Sequence, residues 1–338
     1  MTVPRPRRTL PAGVVPADRG ARPEEAGSHV RPKAPPRTEE RGAPKADHLA
    51  TPAERAQSLV AELVSLGPDA IAPVIRRLLP LGNFALEEIA RRFPEPLWNR
   101  ASVSDRLPRP EEISSTATAL SAFQDEAVPY LIELMRHPRA VVRYHAMAIC
   151  AGYSESSLTE PLALAALDED QECRRAAVHL LHGYRRNPSY PPALGLLGRH
   201  AAKRTHASAH RRRAISALTQ LRDGTSVALL VDLLGDPDRT VASAARVSLR
   251  ILTAHDFGFS RQPWLRWLSE RGRRTRTEWL IEGLGDARTN IRVLASNELW
   301  AATRLLEPLC EQDTRDAFLN AQRRYERWWT QGPRARLE

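Results

Sequence analysis

Phenylalanine, tryptophan and tyrosine make up only 6% of the 338 residues. With few large rings and frequent Ala and Leu, the interior suits helices packed through small side chains, and an all-α chain is expected. Cysteine is scarce and odd in number. Cys150, Cys173 and Cys310 lie in or beside apolar runs, which argues against a disulfide framework and for a reducing compartment. Long apolar runs are missing: nothing after Met1 resembles a signal-peptide core and nothing later approaches a membrane span. The expected location is cytoplasmic. Chemistry-bearing motifs are missing too. No Gly-rich phosphate loop, no His-Glu-x-x-His, no paired catalytic carboxylates and no nucleophile with a placed base can be drawn, so no catalytic residue, cofactor or metal is assigned and no enzyme is expected. Asp256-Phe257-Gly258 spells a kinase tripeptide, but the phosphate loop, strand-borne Lys and catalytic-loop Asp of a kinase do not precede it.

Positive charge is plentiful, with a formal net charge of +10 and a pI near 10.2. Such a field favours acidic partners, whether a protein face, nucleic acid or anionic lipid. Residues 1–50 hold nine of the 27 prolines and almost no large apolar side chains. A segment of that kind cannot offset its ordering entropy and reads as a disordered tail.

Helical periodicity begins at Thr51, where Pro52 follows a capping threonine and Leu59, Leu63 and Leu66 recur at helical spacing. Residues 51–106 form an N-terminal helical cap unit that ends in a Pro-rich stretch. Residues 107–306 form an array whose standard unit is Val227 to Leu252: a Leu-rich helix, a Gly235-Asp236-Pro237-Asp238 corner and a second helix. Corners align at His137–Arg143, Asp168–Arg174, His206–Arg212, Asp236–Ala242 and Asp286–Arg292, at intervals of 31, 38, 30 and 50 residues. Each is followed by a small or apolar residue at Ala146, Ala177, Ile215, Ala245 and Ala295. The longest interval holds a Trp-bearing insertion at about 254–274, and residues 307–338 supply a capping helix and tail. A Leu-Thr helix end, a loop and a Trp-bearing helix recur at the C-terminus, which places Trp328 and Trp329 as counterparts of Trp264 and Trp267.

This pattern resembles the HEAT-repeat α-solenoids, an armadillo-like class, over roughly Ala53 to Leu306, and the insertion is similar to that of bacterial HEAT-repeat proteins. The resemblance implies a right-handed solenoid of about six helical pairs. It also implies that Asp168 with Arg174 and Asp286 with Arg292 form a structural ladder between neighbouring repeats. His137 and His206 depart from its Asp, and Ala242 from its Arg.

Function is sought where repeats deviate. Lys203, Arg204, Arg211, Arg212 and Arg213 form a basic run without an acidic residue, suited to a polyanion or acidic protein face. Trp264 and Trp267 share a helical face near Arg273 and Arg274, a grouping that can stack bases or seal a junction. His206 and His210 have the i,i+4 spacing of half a metal site, with His200 nearby, but the segment lacks the Cys, Asp or Glu that would complete four ligands. The resemblance implies a non-catalytic scaffold, monomeric, that binds a protein or peptide on the solenoid surface. The alternatives are nucleic-acid binding through the basic patches and, below that, an alkyl-base DNA glycosylase or a bilin lyase-type subunit, neither of whose sites maps onto this chain.

Overall fold

The computed structural model describes residues 51–98 and 106–332. The expected disordered tail at 1–50 lies outside them. Among the described residues there are 17 α-helices, short 3-10 turns and no strand, and no helix is long and apolar enough to cross a membrane. The chain opens with α1 (Pro52–Ser65), α2 (Ala72–Leu78) and α3 (Asn83–Arg92), then α4 (Pro110–Ile113) and α5 (Ser115–Ala122). Four helical pairs follow: α6 (Val128–Leu134) with α7 (Ala140–Cys150), α8 (Thr159–Ala165) with α9 (Gln171–Gly183), α10 (Tyr190–Ala202) with α11 (Ser208–Gln220), and α12 (Val227–Leu233) with α13 (Arg239–Thr253). Then come α14 (Arg261–Arg271), the pair α15 (Arg276–Gly283) and α16 (Thr289–Thr303), and α17 (Arg315–Thr330).

Helix α1 starts where expected because Thr51 and Glu54 close a capping box, the Glu54 carboxylate accepting the Thr51 N–H at 2.7 Å. Its stripe of Ala56, Leu59, Val60 and Leu63 is buried. Along the array, first helices pack on first helices, as α8 does on α10, and second helices on second helices, as α7 on α9 and α11 on α13. One apolar core runs from Leu59 to Trp279, and a second gathers Ala254 with residues from Leu280 to Trp329. Each pair covers apolar surface its neighbour leaves open, which is why such arrays are stable only as stacks.

The corners explain both the family residues and the departures. Asp168, Asp236 and Asp286 each accept the backbone N–H two residues on, at 2.8, 3.0 and 2.8 Å. His137 does the same through Nδ1 at 3.1 Å, so an imidazole replaces the carboxylate in the turn. The Arg six residues later closes its own corner: Arg143 donates to the His137 and Pro138 carbonyls, Arg174 to those of Asp168 and Glu169, and Arg292 to those of Asp286 and Ala287, all at 2.8–2.9 Å. The bridge between repeats is made from one repeat's Arg to the next repeat's Asp, Arg143 to Asp168 and Arg211 to Asp236.

One corner reading needs correction, and one departure is explained. Helix α11 begins at Ser208, three residues after Thr205, whereas the other second helices begin three residues after His137, Asp168, Asp236 and Asp286. The third corner is therefore Thr205 to Arg211, not His206 to Arg212, and Ala214 rather than Ile215 takes the small-residue position. The absent Arg at Ala242 is supplied one turn later. Arg246 forks onto Asp256 at 3.0 and 2.8 Å, and Asp256 accepts the Gly258 N–H at 3.0 Å. The Asp-Phe-Gly tripeptide is thus one more corner, holding the α13–α14 loop.

Helices α13 and α16 end alike. Thr253 and Thr303 donate to the carbonyl four residues back at 2.7 Å and accept the N–H two residues on, around Ala254 and Arg304 at φ 53°. After each end an extra helix returns to the first helix of its pair, α14 to α12 and α17 to α15. Counted from the helix start, Trp264 corresponds to Phe318, not to Trp328 or Trp329; both Trp264 and Phe318 are wholly buried. Gly283 permits α15 to meet the end of α13, since a Cβ there would lie 2.5 Å from that of Ala254.

Candidate functional site

The residues singled out in the sequence part into an inner and an outer set. Arg211 is 3% exposed. Its Nε donates to the Ala201 carbonyl at 2.8 Å and its two terminal nitrogens engage the Asp236 carboxylate. It belongs to the ladder, and its expected role as a partner contact is withdrawn. Trp264, 0% exposed, donates Nε1–H to the Gly258 carbonyl at 3.1 Å, and Trp267, 5% exposed, sits between the rings of His255 and Trp279. Both tryptophans are core, which corrects their assignment as contacts: the α13–α14 loop leaves a gap that only large rings fill. The apolar groups this segment exposes are Phe259 and Leu265.

Lys203, Arg204 and Arg212 are exposed; Arg213 is half-buried and donates to the Leu167 carbonyl. Arg273 is exposed, and Arg274 is tied to Glu282 at 3.3 Å. Of the ladder residues, Asp168 bridges repeats, whereas Arg174 and Arg292 serve their own corners and Asp286 pairs with Arg288.

Arg212 borders an open groove of about 770 Å³ between α11 and α13. Its floor is built from the helix faces that point away from the first-helix layer, including Ala244, Val247 and Ile251, with Ser216, Gln220 and Ser243 among them. Val247 is 52% exposed. Three arginines line the groove, Arg212, Arg222 and Arg239, and no carboxylate. Arg222 is positioned by Glu298 of α16 at 2.6 and 2.9 Å, and the same carboxylate takes Arg276 at 2.6 Å. Burial pulls the Arg276 guanidinium below the ordinary arginine range, against the pull of Glu298. Sequence reasoning missed this groove. Its basic residues come from three separate segments, and the local run at 199–213 drew attention to one of them.

The histidines also come together. His200 closes the last turn of α10, His206 lies in the corner and His210 is in the first turn of α11. Their nearest ligand atoms all lie within 4.8 Å of one another. Burial, then His206, Lys203 and Arg199, push His200 below its usual range; burial, then His200, His206 and Arg213, do so for His210.

Three other imidazoles, His145, His182 and His255, are pushed below 6.5 mainly by burial. A group with a depressed folded value contributes stability that is complete above the unfolded value and is lost as pH falls through the folded one. The urea midpoint is therefore expected to drop as pH falls from 6.5 to 5, and His255→Gln should flatten that slope. An unchanged slope would refute the assignment.

A stack of helical pairs joined corner to corner by Arg–Asp bridges is an α-solenoid. Within it, residues 159–250, covering α8 to most of α13, match the family model for HEAT repeats. A search of curated proteins found no match.

Proposed function

We propose that the chain is a non-catalytic scaffold that binds an extended acidic segment of a partner protein in the α11–α13 groove. HEAT repeats commonly serve as protein-interaction scaffolds. The observation that carries the reading is the groove's make-up: an exposed apolar floor with arginines at its rim and no carboxylate among its lining residues. An acidic peptide with interspersed apolar side chains complements both features. Lys203 and Arg204, exposed at the corner leading into α11, add to the field that steers it. The chain's own residues 1–50 carry ten basic against six acidic residues and do not suit the groove. No Trp lines the groove either, so it offers neither the base nor the stacking platform that excision of a nucleobase needs.

The test is fluorescence anisotropy of a labelled Glu/Leu-rich peptide titrated with the full chain. Saturable binding is expected, weakened by salt and reduced at least about tenfold by the Arg212→Glu/Arg239→Glu variant. Equal binding by that variant would overturn the reading. Tighter binding of duplex DNA, with a steeper salt dependence, would move the function to nucleic acid.

A further inference from the structure

The geometry points to a three-histidine site, His200, His206 and His210, for one divalent cation of borderline softness, Zn²⁺ fitting the donor set best, with the fourth position left to water or a small anion. His200 Nδ1 and His210 Nε2 face each other at 3.0 Å, and His206 stacks on His210 with ring centroids 4.7 Å apart. Tetrahedral zinc with Zn–N bonds of about 2.0–2.1 Å holds its nitrogens about 3.3–3.4 Å from one another. One of the three pairings needed is therefore already close to that spacing, and the two that involve His206 lie inside the 4.8 Å limit of the group.

The supporting frame is rigid. The end of α10 and the start of α11, which carry the outer two ligands, are joined by the Arg211 bond to the Ala201 carbonyl, and Arg211 is itself anchored to Asp236. In the metal-free form His200 Nδ1 and His210 Nε2 share an N–H···N hydrogen bond, one neutral ring donating and the other accepting. The two donor atoms a cation needs thus already converge, and the ion takes the place of the shared proton. A cation at the centre takes the lone pairs and leaves the remaining N–H groups outward.

Donor type narrows the ion. Three imidazoles without an oxygen ligand suit Zn²⁺, Cu²⁺ or Ni²⁺ and not Ca²⁺ or Mg²⁺. The surroundings narrow the fourth ligand. Lys203, Arg204 and Arg213 are close in sequence and no carboxylate belongs to the ligand group, so the ion's charge is best met by an anionic oxygen or halide. His200 and His210 also line a cavity of about 470 Å³ shared with Asp168, Glu169 and Arg213, which gives the ion and its fourth ligand a route in.

The experiment uses the tag-free full chain, titrated with Zn²⁺ in competition with a chromophoric chelator, and with Co²⁺ followed by visible absorption. One ion per chain is expected, with an intense tetrahedral Co²⁺ spectrum, and His206→Ala and His210→Ala should each weaken binding at least about a hundredfold, beyond the loss typical of outer-sphere partners. Circular dichroism reports whether each variant folds. Should one not fold, the wild-type Co²⁺ spectrum decides, a weak octahedral spectrum counting against the site. No saturable binding, or a folded His206→Ala variant that binds within threefold of wild type, would overturn the proposal.

Discussion

Replacing Asp236 with Ala is expected to destabilise the chain by about 3–5 kcal/mol, because it strands a buried guanidinium. The side chains of Arg211 and Asp236 are only 4% and 2% exposed. Without the carboxylate, Arg211 keeps its bond to the Ala201 carbonyl but has no counter-charge, and the Asp238 N–H loses its acceptor in the turn. The loss should be local in origin: protection of α11 and α13 amides against hydrogen exchange falls first, since repeats communicate through nearest neighbours. Replacing both members, Arg211→Met with Asp236→Leu, should recover most of the stability, as buried ion pairs are often matched by apolar groups of similar volume. Asp286→Ala is the control. Its partner Arg288 is 43% exposed, so that pair is worth about 1 kcal/mol or less. Urea unfolding measures all three, and a loss below about 1 kcal/mol for Asp236→Ala would remove the ladder argument.

The same pair carries a pH signature. The Arg211 guanidinium holds the Asp236 carboxyl below its ordinary 3.8. Its contribution is complete above that value and is lost as pH falls through the lower folded value, so acid unfolding of the wild type should be steeper than that of the double variant.

What could be read from the sequence follows from what is local. Helical period, the Thr51 cap and the small-residue stripes are set by neighbours a turn apart, and the helices formed where these placed them. Register across a corner is less local. Thr205 offers no ring or carboxylate to mark it, and the adjacent His206 looked like the corner residue; the helix start at Ser208 settles it. Arg211 and Arg212 are indistinguishable by composition, yet a single residue turns the side chain by about 100° on a helix, which places one inside the ladder and the other on the groove. The groove and the histidine cluster depend on contacts between segments, as when Glu298 positions Arg222 from 76 residues away. No spacing rule reaches that far.

The tryptophans separate stability from binding most sharply. Trp264→Ala should cost about 3–5 kcal/mol, the range for deleting a large buried ring whose site collapses only in part. Trp264 packs edge-on against Phe257 and Trp267, at centroid distances of 4.8 and 6.1 Å, and its Nε1–H is the donor to the Gly258 carbonyl. Through Trp267 the ring cluster continues to His255 and Trp279, so the deletion loosens the join between α12, α14 and α15. Trp264→Phe should cost less, keeping much of the volume but leaving that carbonyl without its donor. Neither change touches the residues lining the α11–α13 groove. At a temperature where the variant remains folded, acidic-peptide affinity should stay within about twofold of wild type, because distant sites without shared partners act independently. A ring that contacts a ligand would behave the opposite way, losing affinity with little loss of stability, and that outcome in paired urea and anisotropy measurements would return Trp264 to the binding surface.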